Sequence, residues 1–301
     1  MAALSSHLLL VLSAVFWGGT FVAGRQLAPL IDPYSAAFLR FALASLLLTA
    51  WMYRRLGRFP PITRVQLATV CLLGCTGIFA YNLFFFAGLR TVEAGRASLI
   101  VALNPVLIAL ASVCLFNERL SLQRVTGVVL SVFGALLVIG RGDLPGLLRG
   151  SIGPGELLLL GCVVSWTLYT LIGKRLLHNV SALVAVTYSS LIGTFLLGLT
   201  MVWHAGISQA GLGNIEVWFN ITYLAVFGTL FAFVWYYKGV HALGAARAAQ
   251  YINLVPVSGV CFGALLLGEP VTVSLLTGGL LVIAGLWLTN SGATPPDAAE
   301  N

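Results

Sequence analysis

Charge is scarce in this sequence. Only 8% of its 301 residues are charged against 59% that are hydrophobic, and the acidic side chains number nine. That ratio excludes a water-soluble domain, whose surface would lack polar groups to face solvent. Histidine is rarer still. His7, His178, His204 and His241 lie near the ends of apolar runs, and none forms an H-E-x-x-H or a Ser/His set. The five cysteines, Cys71, Cys75, Cys114, Cys162 and Cys261, make no C-x-x-C and sit within apolar stretches, where they read as small packing residues. There is no P-loop, which excludes a nucleotide-driven motor, and no metal-ligand spacing, so no cofactor is expected. The first apolar run has no basic segment ahead of it, which argues against a cleaved signal peptide.

What the chain has in abundance is long apolar runs. About 20 apolar residues cross the hydrocarbon core as a helix. Ten such runs fall at roughly 7–24, 34–53, 65–88, 95–116, 121–140, 154–173, 182–203, 217–237, 244–267 and 272–290, joined by short loops. The fold class expected is an all-α integral membrane protein, with residues 292–301 a disordered tail. A net charge of +7 would suit nucleic acid, but the basic residues cluster at run ends, so the bilayer is the expected partner and nucleic acid is not. Lys and Arg favour the cytoplasmic side. With the N-terminus inside, the inner loops hold Arg54, Arg55, Arg58, Arg64, Arg119, Arg124, Lys174, Arg175, Lys238 and Arg247. The outer loops hold only Arg25, Arg90, Arg96, Arg141 and Arg149, and Arg40 falls within a run. Both termini are therefore expected in the cytoplasm.

The second half repeats the first. "GLRTVEAGRASLIVALNPV" from Gly88 faces "GVHALGAARAAQYINLVPV" from Gly239. At that offset of 151, Arg96 meets Arg247, Pro105 meets Pro256, and Glu118 meets Glu269. Gly127 and Gly134 meet Gly278 and Gly285. Further upstream the offset is 149, where Trp17, Gly24 and Arg25 align with Trp166, Gly173 and Lys174. Matched Pro, Arg, Glu and paired Gly are not chance matches between greasy helices. Two repeats, 1–145 and 150–291, each hold five spans. An odd number inverts the second copy in the membrane, an arrangement that underlies alternating access around a midplane site.

Trp17-Gly18, Phe21, Arg25, Pro33, Arg40 and Ala44, followed by Arg96-Ala97, Asn104-Pro105 and Glu118, resemble the EamA-type members of the drug/metabolite transporter superfamily. Among these the chain looks most like the bacterial aromatic amino-acid exporters of the YddG kind. The resemblance implies ten helices in a bacterial inner membrane, export of small metabolites, and a central cavity lined by the first, third, fourth, sixth, eighth and ninth helices. The second repeat departs from it, with Ser189 near the place of Arg40 and Thr167 after Trp166.

Pro105 and Pro256 free the carbonyls of Val101 and Ile252 and are candidate hinges, with Asn104 and Asn253 adding amides at similar depth; the alternative is helix bridging by the amides. Trp17, Tyr81, Phe85, Trp166, Tyr169, Trp235 and Tyr251 are candidate cavity aromatics, with Asn82, Gln250 and Asn253 as hydrogen-bond partners. Phe86 and Tyr237 read as an interfacial belt. Glu118 and Glu269 are either caps of a following helix or gate ion pairs. Arg40 either snorkels or has a structural role. The paired glycines bring the fifth and tenth helices close, within the fold or across a homodimer. No acidic residue or histidine sits mid-span, so proton coupling is not expected. The reading is an exporter of aromatic or other amphipathic amino acids. The alternatives are an intramembrane enzyme acting on a lipid-like substrate and a multidrug exporter of cationic compounds.

Overall fold

The computed structural model describes residues 2–116, 121–148, 152–176, 180–204, 212–243 and 245–291. These are all-helical. Five helices make up the first half: α1 (Ala2–Leu27), α2 (Pro33–Leu56), α3 (Arg64–Gly88), α4 (Ala94–Val101, resuming as Asn104–Phe116) and α5 (Leu122–Ile139). After a single turn at Leu144–Leu148 come α6 (Pro154–Leu176) and α7 (Ala182–His204). Then α8 runs through Ile215–Thr222, Tyr223–Phe231 and Ala232–Leu243, α9 through Ala245–Tyr251 and Leu254–Leu267, and α10 through Val273–Ser291. Among the described residues nine helices are long and apolar enough to span a bilayer, and a shorter apolar helix, Val273–Thr289, makes the tenth. The chain is a multi-pass membrane protein.

Helix starts are fixed by side chains, because hydrocarbon offers the first amides no partner. Asp32 accepts from the amides of Tyr34 and Ser35, with Pro33 opening α2. Thr63 and Gln66 form a reciprocal capping box at α3, and Ser121 and Asn214 cap α5 and α8.

The two halves are related by a pseudo-two-fold, and side chains mark where its axis passes. Ser45 of α2 and Thr194 of α7, equivalent at the offset of 149, touch each other at 2.8 Å. Ser131 of α5 and Val282 of α10, equivalent at 151, are joined by a hydrogen bond from the Ser131 hydroxyl to the Val282 carbonyl. A residue in contact with its own counterpart lies on the axis. Antiparallel α5 and α10 confirm the inversion: a Cβ on Gly127 would lie 2.6 Å from the Gly285 carbonyl, and one on Gly134 2.6 Å from that of Gly278. The glycine pairs therefore serve contact within the fold. The remaining packing follows the same operator, with α1 lying on α8 and α9, and α6 on α3 and α4.

Candidate functional site

Call the end of the bundle where α1 starts the near end, and the end where it stops the far end. The far end is closed by charged side chains reaching backbone. Arg25, in the last turn of α1, donates from Nη1 to the carbonyls of Leu89 (2.6 Å) and Arg90 (2.7 Å), just past α3. Gly268, left-handed at φ 66°, turns the chain after α9 so that Glu269 folds back. Its carboxylate accepts from the amides of Ala94 (2.6 Å) and Gly95 (2.9 Å), at the positive end of α4. Gly263 leaves room for this, since a Cβ there would lie 2.4 Å from Glu269 Oε2. Glu269 thus does not cap the helix after it, and its charge also acts on the nearby Arg96. The carboxylate caps a helix in the other repeat. Arg96 of α4, buried, pairs with Glu93 (3.5 Å) and with Glu156 of α6 (3.9 Å). Glu118 lies outside the described residues.

At the near end a cavity of about 460 Å³ separates α8 from α2 and α7. Leu48 and Trp51 of α2, Leu183 and Val186 of α7, and Phe233 and Val234 of α8 form its walls, and the exposed Arg55 and Lys238 stand beside it. None of the residues expected to line a cavity lines this one, and α8 is the one helix it shares with the expected set. The corresponding place at the far end is filled: the Tyr34 ring of α2 stacks on His204 of α7 at 4.5 Å, and α3 is bonded to α2.

That bond comes from Arg40, which does not snorkel. Only 8% exposed, it donates from Nη1 to Asn82 Oδ1 at 3.1 Å, and its guanidinium lies over the rings of Phe41 (5.2 Å) and Phe85 (5.8 Å). Asn82 in turn donates to the Ile78 carbonyl at 2.7 Å, so both ends of its amide are used within the protein. No carboxylate faces Arg40 among the described residues, and its Nε has no partner.

All the expected aromatics but Tyr251 fall into two clusters related by the pseudo-two-fold. Between α3 and α6, Tyr81 meets Phe85 (6.0 Å) and Trp166 (5.7 Å), and Trp166 stacks on Tyr169 (5.2 Å). Phe85 is buried, while Tyr81, Trp166 and Tyr169 are half-buried. Between α1 and α8, Trp17 meets Phe233 (5.6 Å) and Tyr236 (5.4 Å), and Trp235 meets Phe16 (5.4 Å). Through Phe233 this second cluster reaches the cavity. Tyr251 sits apart, its hydroxyl bonded to His7 of α1 near the near end.

The proline helices are interrupted rather than bent. Helix α4 stops at Val101 and resumes at Asn104, and α9 stops at Tyr251 and resumes at Leu254, so Pro105 and Pro256 stand in the first turn of each new segment. The turns tighten, with Leu103 donating to the Ile100 carbonyl (3.1 Å) and Val255 to that of Ile252 (2.9 Å). The Ile252 carbonyl is therefore not freed by Pro256. Asn253 is buried, and Asn104 Oδ1 is buried without a partner.

Sequence reasoning missed a second pair of irregularities. Helices α3 and α8 widen into π-helical turns over Gly74–Ala80 and Tyr223–Phe231. Gly77 and Gly228, 151 apart, lie in them: a Cβ on Gly77 would meet the Tyr169 ring at 2.2 Å, and the Gly228 carbonyl accepts from Trp17 Nε1 at 3.1 Å. Such bulges concentrate at functional sites. The matched glycines were the legible sign of them.

An inverted ten-helix bundle is an architecture of membrane transporters. The profile of the EamA-like transporter family matches residues 4–140 and again 153–291, and the chain belongs to that family, within the drug/metabolite transporter superfamily. It is similar to the uncharacterized transporter YyaM of Bacillus subtilis, 29% identical over 97% of this chain and 95% of that one. It is also similar to a probable terminal-alkyne amino-acid exporter of Streptantibioticus cattleyicolor, 29% identical over 93% of this chain and 92% of that one. A solved structure superposes with a TM-score of 0.67 at 20% identity, covering 95% of this chain and 96% of its own, which shows the fold.

Proposed function

We propose that the protein exports small amphipathic metabolites, aromatic amino acids foremost, by alternating access across a bacterial inner membrane and without proton coupling, and that it is no enzyme. The observation that carries this is the asymmetry of a symmetric bundle: the far end bonded shut by Arg25, Arg96 and Glu269, the near end holding the cavity. With both termini in the cytoplasm, as the ten-to-five distribution of basic residues favours, this conformation faces inward. The repeat supplies the other conformation. In that conformation Glu118 caps the start of α9, while Glu269 lets go of α4. The two interrupted helices, with Pro105 and Pro256, are the hinges of this exchange. The relative named a probable amino-acid exporter, the aromatic cluster of Tyr81, Trp166 and Tyr169, and the aromatic path from Trp17 to the cavity support the substrate class.

The test is flux in proteoliposomes of purified protein, with no ion gradient and radiolabelled phenylalanine, tryptophan and a cationic dye as solutes. Downhill uptake of the amino acids and not of the dye is expected. Uptake of the dye alone, or amino-acid uptake only under a proton gradient, overturns the reading.

A further inference from the structure

We infer that Arg40 is the anchor for a carboxylate on the transported solute, reached when the far end opens. A cation buried in a membrane span is costly unless it is paired. The protein's acids lie at helix ends or in the tail, and among the described residues Arg40 meets one amide oxygen, the Tyr81 phenol and two ring faces, with no carboxylate. Its forked guanidinium has donors to spare, Nε among them.

The pseudo-two-fold says when these donors become accessible. Carried through the offsets of 149 and 151, the near-end cavity wall at Val186 and Phe233 lands on Ala37 and Asn82 at the far end. Ala37 is one turn from Arg40 on α2, and Asn82 is its bonding partner on α3. The motion that opens the far end therefore parts α3 from α2, takes Asn82 away, and leaves the guanidinium in the wall of the new crevice. An anion of the right shape then replaces the amide, and a carboxylate fits the fork with two parallel hydrogen bonds. The second half has Ser189 where the first has Arg40, so the cations lining the near-end cavity are the exposed Arg55 and Lys238, whose charge water screens. A carboxylate consequently binds the far-open state better than the near-open one, and differential affinity of that kind draws the protein outward. The same charge repels cationic solutes.

The inference rests on the transport reading for the motion, and the experiment separates the two. Phenylacetate and its methyl ester are titrated against the full-length protein in nanodiscs, read by intrinsic tryptophan fluorescence, for the wild type, Arg40→Gln and Arg40→Lys. The ester is the more apolar probe and wins where no cation acts. The wild type is expected to bind the acid about tenfold or more tightly than the ester. Arg40→Gln should abolish or reverse that ratio, and Arg40→Lys, which keeps the charge without the fork, should retain part of it. A wild type without preference for the acid overturns the inference with no variant needed, as does an acid-to-ester ratio left intact in Arg40→Gln. Flux supplies the distinction. Acid preference through Arg40 without amino-acid transport sinks the proposed substrate and leaves the anchor standing. Transport with an unaltered ratio in Arg40→Gln sinks the anchor alone.

Discussion

Glu269 accepts two backbone hydrogen bonds 174 and 175 residues away, and this is the contact that holds α9 on α4 at the far end. Bonds from amides to a carboxylate contribute about 1.5–3 kcal/mol each. Glu269→Gln keeps the shape and removes the charge, so the first turn of α4 should open more often. Amide hydrogen exchange at Ala94–Val101 is expected to rise about tenfold or more; unchanged exchange would mean that the carboxylate does not hold the helix. The sequence marked Glu269 through its match with Glu118, but not its partner, because nothing local encodes a contact spanning half the chain. The same holds for Arg40. A lone Arg eight residues into a span is legible as costly, and only packing reveals that it reaches Asn82 instead of the interface.

Helices were the most readable level. All ten apolar runs correspond to helices, because hydrophobic length is a property of each segment alone. The interior irregularities were half legible. Proline announced the breaks in α4 and α9, though as interruptions with tightened turns rather than bends. The π-helical turns of α3 and α8 went unseen, since a widened turn depends on the neighbouring helix: Tyr169 presses on Gly77, and Trp17 bonds to Gly228. The α5–α10 contact gives the sharpest prediction at this scale. A side chain at Gly134 would meet the Gly278 carbonyl at 2.6 Å and the Val282 amide at 2.8 Å, both backbone and unable to yield. Gly134→Leu should destabilise the protein by about 1–3 kcal/mol in a reversible unfolding measurement in bicelles. Wild-type stability would show that the two helices are not in contact in the membrane.

The molecule as a whole is one five-helix unit used twice in opposite senses, with polar contacts at the far end and, among the described residues, a cavity at the near end. The repeat was legible because matched Pro, Arg, Glu and Gly are rare in such a sequence. Which end is closed was not, because both ends carry the same elements and only the conformation tells them apart. If the halves exchange roles, closure must alternate, and spin labels report this in liposomes. One pair, at Arg55 and Lys238, flanks the near-end cavity; the other, at Arg90 and His204, flanks its counterpart at the far end. With Glu269→Gln in a cysteine-free background, electron–electron distance measurements should show the far-end pair lengthening while the near-end pair shortens. Both distances changing in the same sense, or neither changing, would contradict alternating access in this protein.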